Sequence, residues 1–383
     1  MGTGLPAREP LLRALIDICG PGFARTAGRS DVVAGHLASF VAAPATTAAV
    51  ADTMRLAAER GLAVIPRGSG SKIDWGTPPP GVDLLLDTGR LDGIWHHDVE
   101  AATAEVGTGT PIRAIQAALA LRGQRLAVDP PSATATLGGM LAVNESGPLR
   151  HRFGPAAQQV VSIAYVTREG AAATSDGEDG RPGIAEIDGV ILSAQVRLEP
   201  LPAARRWVAV PVATPRDVHD LVREALARHV EPSAIEVDLP GASRGALAVL
   251  LEGEEGDVAE RAGDLEKALD HDPVVSPVAP GWWGRYPFGP ADVALRIAAP
   301  PADLQAAIFA LRDVTGMPVP VRGSAGRGTV HAVLPAALGA ERIEGILDAV
   351  RGVLLARGGR CVAIAAPPEI SAEIDMADRR DLF

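Results

Sequence analysis

From residue 206 onward the apolar runs of this chain follow one order and then follow it again. Residues 207–212 read as a strand, Thr214-Pro215 opens a helix through Leu226, strands are expected at 234–239 and 246–251, and a helix spans about 258–269. The order restarts at Asp292 with strand 292–298, helix 304–311, strands 318–322 and 329–334, helix 343–355 and a last strand at 361–365. Strands and helices in this alternation bury their apolar faces by placing the helices on one side of a shared sheet. The second half is therefore expected to be an α+β unit of β-α-β-β-α type, duplicated in element order and not in residue identity.

The first half is organised differently. Thr46-Thr47 followed by Val50, Met54 and Ala57 predicts a helix that stops at Gly61, and strand 62–65 runs from it into Pro66-Arg67-Gly68-Ser69-Gly70-Ser71-Lys72. Further strands are expected at 82–86, 101–106, 160–166 and 190–198, with a helix from Thr110 as N-cap through Leu119 to Gly123. The Gly-Ser loop can turn consecutive main-chain N–H groups toward one point, an arrangement that holds an anion such as phosphate; on these residues alone a solvated turn reads equally well.

Composition removes several classes of function. The formal charge of −11 and pI near 5.3 argue against nucleic acid or an anionic membrane surface as the main partner. Cys19 and Cys361 stand far apart with no Cys-x-x-Cys, so an iron–sulfur cluster or structural zinc within this chain is not expected. No apolar run approaches the roughly 20 residues that cross a bilayer, and the N-terminus shows no secretory h-region, so the chain reads as cytoplasmic and not integral to a membrane.

A second glycine site follows at Asp129-Pro130-Pro131-Ser132-Ala133-Thr134-Ala135-Thr136-Leu137-Gly138-Gly139-Met140, then Asn144-Glu145-Ser146-Gly147-Pro148 and Gly154. Paired prolines stiffen the approach, and two glycines remove the side-chain bulk that would keep a main chain away from a flat or phosphorylated ligand. With the loop at 66–72, the strand end at 84–87, Val106-Gly107-Thr108-Gly109-Thr110 and this second site in order, residues 35–170 resemble the FAD-binding domain of the vanillyl-alcohol oxidase and para-cresol methylhydroxylase (PCMH) type. The nearest branch is the FAD-linked glycolate oxidase and D-lactate dehydrogenase group, and the short chain is most similar to glycolate oxidase FAD-binding subunits.

That resemblance implies an N-terminal helical lead-in over 1–34, a two-subdomain FAD-binding domain over 35–200, a ferredoxin-like cap over 206–366 and a short tail over 367–383. It implies that Pro66, Arg67, Gly68, Ser69, Gly70, Ser71 and Lys72 surround the FAD diphosphate. Pro130, Thr136, Leu137, Gly138 and Gly139 would line the diphosphate and ring side, and Asn144, Gly147, Pro148 and Gly154 would continue that wall. Gly189, Val190 and Ile191 would meet the adenine half. No histidine stands in the Gly-Ser loop, so the FAD is expected to be noncovalent. The segment between Gly170 and Gly189 is shorter than in the family. Implied partners are a small 2-hydroxy acid such as glycolate or D-lactate, and flavin and iron–sulfur subunits that receive electrons and place the chain peripherally at a membrane. A catalytically silent FAD-binding subunit is the alternative.

The second half offers little catalytic chemistry. Oxidation of a hydroxy acid needs a base for the hydroxyl proton, and His331 is the one histidine left where relatives have a histidine-rich stretch; no metal is expected there. Arg285 stands in the aromatic cluster Trp282, Trp283, Tyr286, Phe288, which reads first as packing or an interface and second as a substrate mouth where Arg285 pairs a carboxylate. His96-His97-Asp98 reads as a solvated turn.

Overall fold

The repeated order in the second half folds into a single eight-stranded antiparallel sheet. In the computed structural model, which describes residues 8–176, 184, 187–228, 230–241, 243–269, 271–379 and 382–383, each pass places its first strand between its third and fourth, as a ferredoxin-like unit does. The strands run Val274–Ser276, Ala204–Val212, Gly245–Gly253 and Ala234–Leu239, then Val321–Ser324, Thr329–Pro335, Asp292–Ala298 and Arg360–Ala365. The second strands of the two passes meet at the centre, with Glu236 opposite Ser324 and Asp238 opposite Arg322.

Helices Pro215–Ala227, Glu255–Ala268, Leu304–Thr315 and Ala340–Leu355 bury Val218, Leu221, Val258, Leu265, Ile308, Leu311, Ile346 and Val350 against one face of this sheet. Thr214 and Asp217 close the first helix with a reciprocal capping box. The strand residues between these apolar positions point the other way, so the opposite face carries Glu236, Asp238, Arg322, Ser324, His331 and Arg296 toward the first half of the chain.

The first half holds two larger sheets, besides two short two-stranded pairings, Val32–Val33 with His36–Leu37 and Gln124–Arg125 with Glu199–Pro200. Strands Phe40–Ala42, Leu84–Asp87 and Val64–Arg67 run parallel, with Ala24–Thr26 added antiparallel at the edge. Helix Arg8–Cys19 packs Leu11 and Leu15 on this sheet beside Phe40 and Leu84, so the N-terminal lead-in is part of its core. The second sheet is antiparallel, in the order Ala172–Ser175, Val160–Thr167, Gly189–Arg197, Thr103–Gly107, Ile94–Asp98. The expected helix at Thr47–Arg60 forms with Thr46 capping Ala49 and Gly61 left-handed at φ 62°. Two expectations are corrected. His96, His97 and Asp98 lie in an edge strand, not a turn, with His97 Nε2 2.7 Å from Gln124 Oε1. Thr110 does not cap helix Ile112–Ala120; its hydroxyl donates to the Gly107 carbonyl at 2.7 Å, and Pro111 holds the cap position.

The two halves are tied by buried charge. Arg125 reaches from the first half to Glu252 on the cap sheet with two hydrogen bonds, at 2.6 and 3.0 Å, and Arg205 adds a third at 2.9 Å. Among the described residues, no helix is long and apolar enough to cross a membrane.

Candidate functional site

Strand Val64–Arg67 ends in the Gly-Ser loop at the edge of a cavity of about 400 Å³ between the two sheets of the first half. The Arg67 guanidinium is bound by Asp31 and Asp87, at 3.0 Å each. Asp31, which Arg25 and the Gly28 N–H also bind, is held well below the usual carboxylate range, chiefly by Arg25. Arg67 thus contributes its main chain to the cavity and its charge to the scaffold.

Beyond it, the main-chain N–H groups of Ser69, Gly70 and Ser71 donate to no protein atom among the described residues. Gly70 sits at φ 75°, a left-handed conformation that aims successive amides together. Gly139, Gly189 and Val190 line the same cavity, while Gly138 and Ile191 line an adjoining one that shares Gly68, Gly139, Gly189 and Val190 with it; Gly138 and Gly139 open the short helix Leu137–Ala142. The glycines allow close approach between protein segments as well as to a ligand. A Cβ on Gly68 would lie 2.1 Å from Thr136 Oγ1, one on Gly138 1.7 Å from Thr108 Oγ1, and one on Gly189 2.0 Å from the Val166 carbonyl. Three unpaired amides beside two bare glycines suit the diphosphate of a dinucleotide. The shortened stretch 170–189 lies partly outside the described residues, although Ile184 and Ile187 reach this cavity.

The remaining sequence candidates separate from the cradle. Thr136 caps the helix through Gly139 N–H, and Leu137 is buried in the core behind it. Asn144 accepts from Ala157 N–H at 3.0 Å, and Gly154, at φ 78°, closes a turn against Gln158. Pro130 lines an outer groove beside Trp207 and Trp283. Gly147 and Pro148 line a second chamber, between the first half and the cap sheet.

Lys72 also leaves the cradle. Its Nζ is buried against Glu145 and lies 2.7 Å from Ser132 Oγ; Glu145 in turn accepts from Ser132 N–H at 3.1 Å and from Tyr286 O–H at 2.7 Å. Glu145 is wholly buried. Burial pushes the Lys72 ammonium down while Glu145 pulls it up, and burial together with Glu145 pushes the Tyr286 phenol well above its usual range. Sequence reasoning missed this network. Its one signal was a carboxylate, Glu145, set among small and apolar residues of a glycine-rich stretch.

The junction chamber collects both weak catalytic candidates. His331 and Arg285 line it, together with Arg150, Glu236, Ser324 and Tyr286. Cross-strand register explains the grouping: Glu236, Ser324 and Thr329 form one row across the sheet, and Asp238, Arg322, His331 and Arg296 the next. Arg322 binds Asp238 at 2.8 Å. His331 Nε2, Glu236 Oε1 and Ser324 Oγ are buried without a hydrogen-bond partner among the described residues. Burial, with Arg296 and Arg150 nearby, pushes His331 down to about 3, so its imidazole is neutral at pH 7. Of the aromatic cluster, Trp283 packs edge-on against Trp207 while Tyr286 and Phe288 pack on Trp75, and Arg285 stays exposed at the rim. Among the described residues, no group of three or more His, Cys, Asp or Glu could hold a metal ion.

Asp129, behind Gly147, gives this junction a pH dependence. Both its oxygens face Leu149 N–H, at 3.0 and 3.2 Å, yet burial pushes the carboxyl from its ordinary 3.8 up to about 8. The folded state therefore holds this proton more tightly than the unfolded chain, and the stabilisation present below about pH 4 is lost as pH rises toward about 8. The thermal midpoint should fall across that window, and Asp129→Asn should flatten the fall, since an amide oxygen can still accept from Leu149. An unchanged slope in the variant would assign the effect to other groups.

Residues 38–175 match the FAD binding domain family. A D-lactate dehydrogenase of Archaeoglobus fulgidus is 26% identical over 207 residues, covering 51% of this chain and 46% of that protein. Glycolate oxidase subunit GlcD of Bacillus subtilis is 24% identical over 252 residues, covering 59% and 53%, and glycolate oxidase subunit GlcE of Escherichia coli is 34% identical over 109 residues, covering 28% and 31%. The chain spans about half the length, or less, of these curated relatives. A solved alkyldihydroxyacetonephosphate synthase has the same fold at a TM-score of 0.71 and 16% identity, covering 94% of this chain and 83% of that one. The chain carries an FAD-binding domain of the PCMH type over residues 38–175, with FAD as its cofactor.

Proposed function

We propose that this chain is an FAD-dependent oxidoreductase that oxidises a small 2-hydroxy acid, such as glycolate or D-lactate, and passes the electrons to a partner subunit carrying iron–sulfur centres. The observation that carries this reading is the row of unpaired amides at Ser69, Gly70 and Ser71 on the cavity that Gly139 also lines, with Gly68, Gly138 and Gly139 lining an adjoining one and a polar chamber on the cap sheet. The main chain of 66–71 grips the diphosphate, Gly138 and Gly139 let it approach, and 189–191 form the wall on the adenine side. With no histidine in the loop, FAD is held without a covalent bond. Bound FAD supplies a hydride acceptor; the residues of this chain orient the acid, exclude water and hold the hydroxyl proton. Domain limits of 35–200 for the FAD unit and 206–366 for the cap accompany this reading, as does a cytoplasmic location, peripheral to a membrane through partners.

One observation favours the alternative of a silent flavin-binding subunit. The Lys72–Glu145–Tyr286 network fills the junction, and the chamber beside it holds only about 40 Å³. The absorbance spectrum of freshly purified protein separates the two. Flavin bands that bleach when glycolate or D-lactate is added are expected for the oxidoreductase, flavin bands that never bleach for the silent subunit, and protein that stays colourless in excess FAD would remove both.

A further inference from the structure

The junction chamber gathers polar groups that the protein itself satisfies incompletely, Glu236 and the Ser324 hydroxyl that faces it among them. Glu236 is 6% exposed, its Oε1 has no partner, and no Lys or Arg stands within ion-pair distance of it among the described residues. Ser324 Oγ, directly opposite across the ladder, and His331 Nε2, one row further on, are likewise buried and unpaired. On the facing wall, Arg150 is partly buried with no carboxylate bound to it among the described residues. Buried polar atoms are nearly always paired, so three unpaired atoms facing an arginine that binds no carboxylate, around one chamber, mark a place for a ligand.

Resting on the reading above, we infer that this chamber is the seat of the hydroxy acid, with Arg150 taking its carboxylate and Glu236 taking its hydroxyl between Ser324 and His331. The two walls suit the two ends of such a molecule. Arg150 comes from the glycine-rich side of the first half and offers a planar donor pair that matches a carboxylate. The cap wall offers groups that can both donate and accept: a carboxylic acid, a hydroxyl and a neutral imidazole. An ionised Glu236 would be an unpaired charge in the interior, which the medium disfavours, and burial pushes its carboxyl well above the usual range. A neutral Glu236 tolerates the acid's negative end, where a charged one would repel it.

The test reads binding without turnover. With dithionite present, so that bound flavin is already reduced, the purified protein is titrated by calorimetry with glycolate and with acetate, which lacks the hydroxyl. Glycolate should bind about tenfold more tightly than acetate. Arg150→Met should weaken glycolate about thirtyfold, and Arg150→Lys should recover part of the loss. Glu236→Gln, which keeps a donor and an acceptor, should stay within about threefold of wild type, whereas Glu236→Leu should erase the preference for glycolate over acetate. Thermal unfolding of each variant checks that it is folded. Wild-type affinity in Arg150→Met, or a loss in Glu236→Gln as large as in Glu236→Leu, overturns the inference. Glycolate binding in this pattern with flavin that never bleaches would leave the chamber standing and remove the redox reading. Bleaching at wild-type rates in Arg150→Met and Glu236→Leu would do the reverse.

Discussion

Gly68→Val protein should purify without flavin. Even the first added carbon would lie 2.1 Å from Thr136 Oγ1, and also 3.2 and 3.3 Å from Thr136 Cβ and Cγ2, so the loop must move away from the second glycine site. Such overlap inside a packed junction is relieved only by displacing main chain, at a cost of about 1–3 kcal/mol. The displaced segment is the one whose free amides face the cavity, so the loss falls on the ligand more than on the fold. Thr136 also caps Leu137–Ala142, so the shift carries to Gly138 and Gly139 on the far wall. The mechanism makes a further demand: Gly68→Ala combined with Thr136→Ala should regain part of the flavin content that Gly68→Ala alone loses. Flavin-to-protein absorbance ratios of the three variants measure this. A full complement of FAD in Gly68→Val would show that the loop does not hold the diphosphate.

The reason for that glycine was only half legible in the sequence. A Gly-Ser loop after a strand announces close approach, and the reading assigned the space to a phosphate. The space beside Gly68 is filled by Thr136, a contact between residues 68 positions apart that no local pattern encodes. Arg67 shows the same limit: its charge reads as an anion ligand in sequence and is bound by Asp31 and Asp87 in the fold. The cap was more legible, because its strands and helices are set by apolar periods and caps that are local, such as Thr214 to Asp217. What periodicity could not supply is the order of the strands, which brings Glu236 opposite Ser324 and His331 beside Arg322. The chamber is built from that register, and its polar residues look individually like ordinary strand positions. His96 to Asp98 was misread because its polar residues lie on an edge strand, where alternation with an apolar face is weak.

Lys72→Met should be the most destabilising single change at the junction, lowering stability by about 3–5 kcal/mol in denaturant unfolding. Lys72 and Glu145 are 6% and 0% exposed, so removing the ammonium leaves a carboxylate in the interior with only Ser132 N–H and Tyr286 O–H to stabilise it. Glu145→Gln keeps an acceptor for those two donors but turns its amide NH2 toward the buried Lys72 ammonium, so it also strands a charge and should destabilise, with Ser132 Oγ as the lysine's remaining partner. The double variant Lys72→Met/Glu145→Gln, with no stranded charge, should be more stable than Lys72→Met alone; such a reversal distinguishes a buried ion pair from simple loss of packing. Position gives the pair a second consequence. Lys72 immediately follows Ser71 of the cradle, Glu145 follows the second glycine site, and Tyr286 belongs to the cap, so one carboxylate fixes three segments of the site against one another. Breaking it should therefore raise the FAD dissociation constant as well as lower stability, although Lys72 points away from the cradle. Wild-type stability in Lys72→Met, or FAD affinity untouched by a loss of several kcal/mol, would mean that the cradle is held by its own strand and needs no brace from the cap.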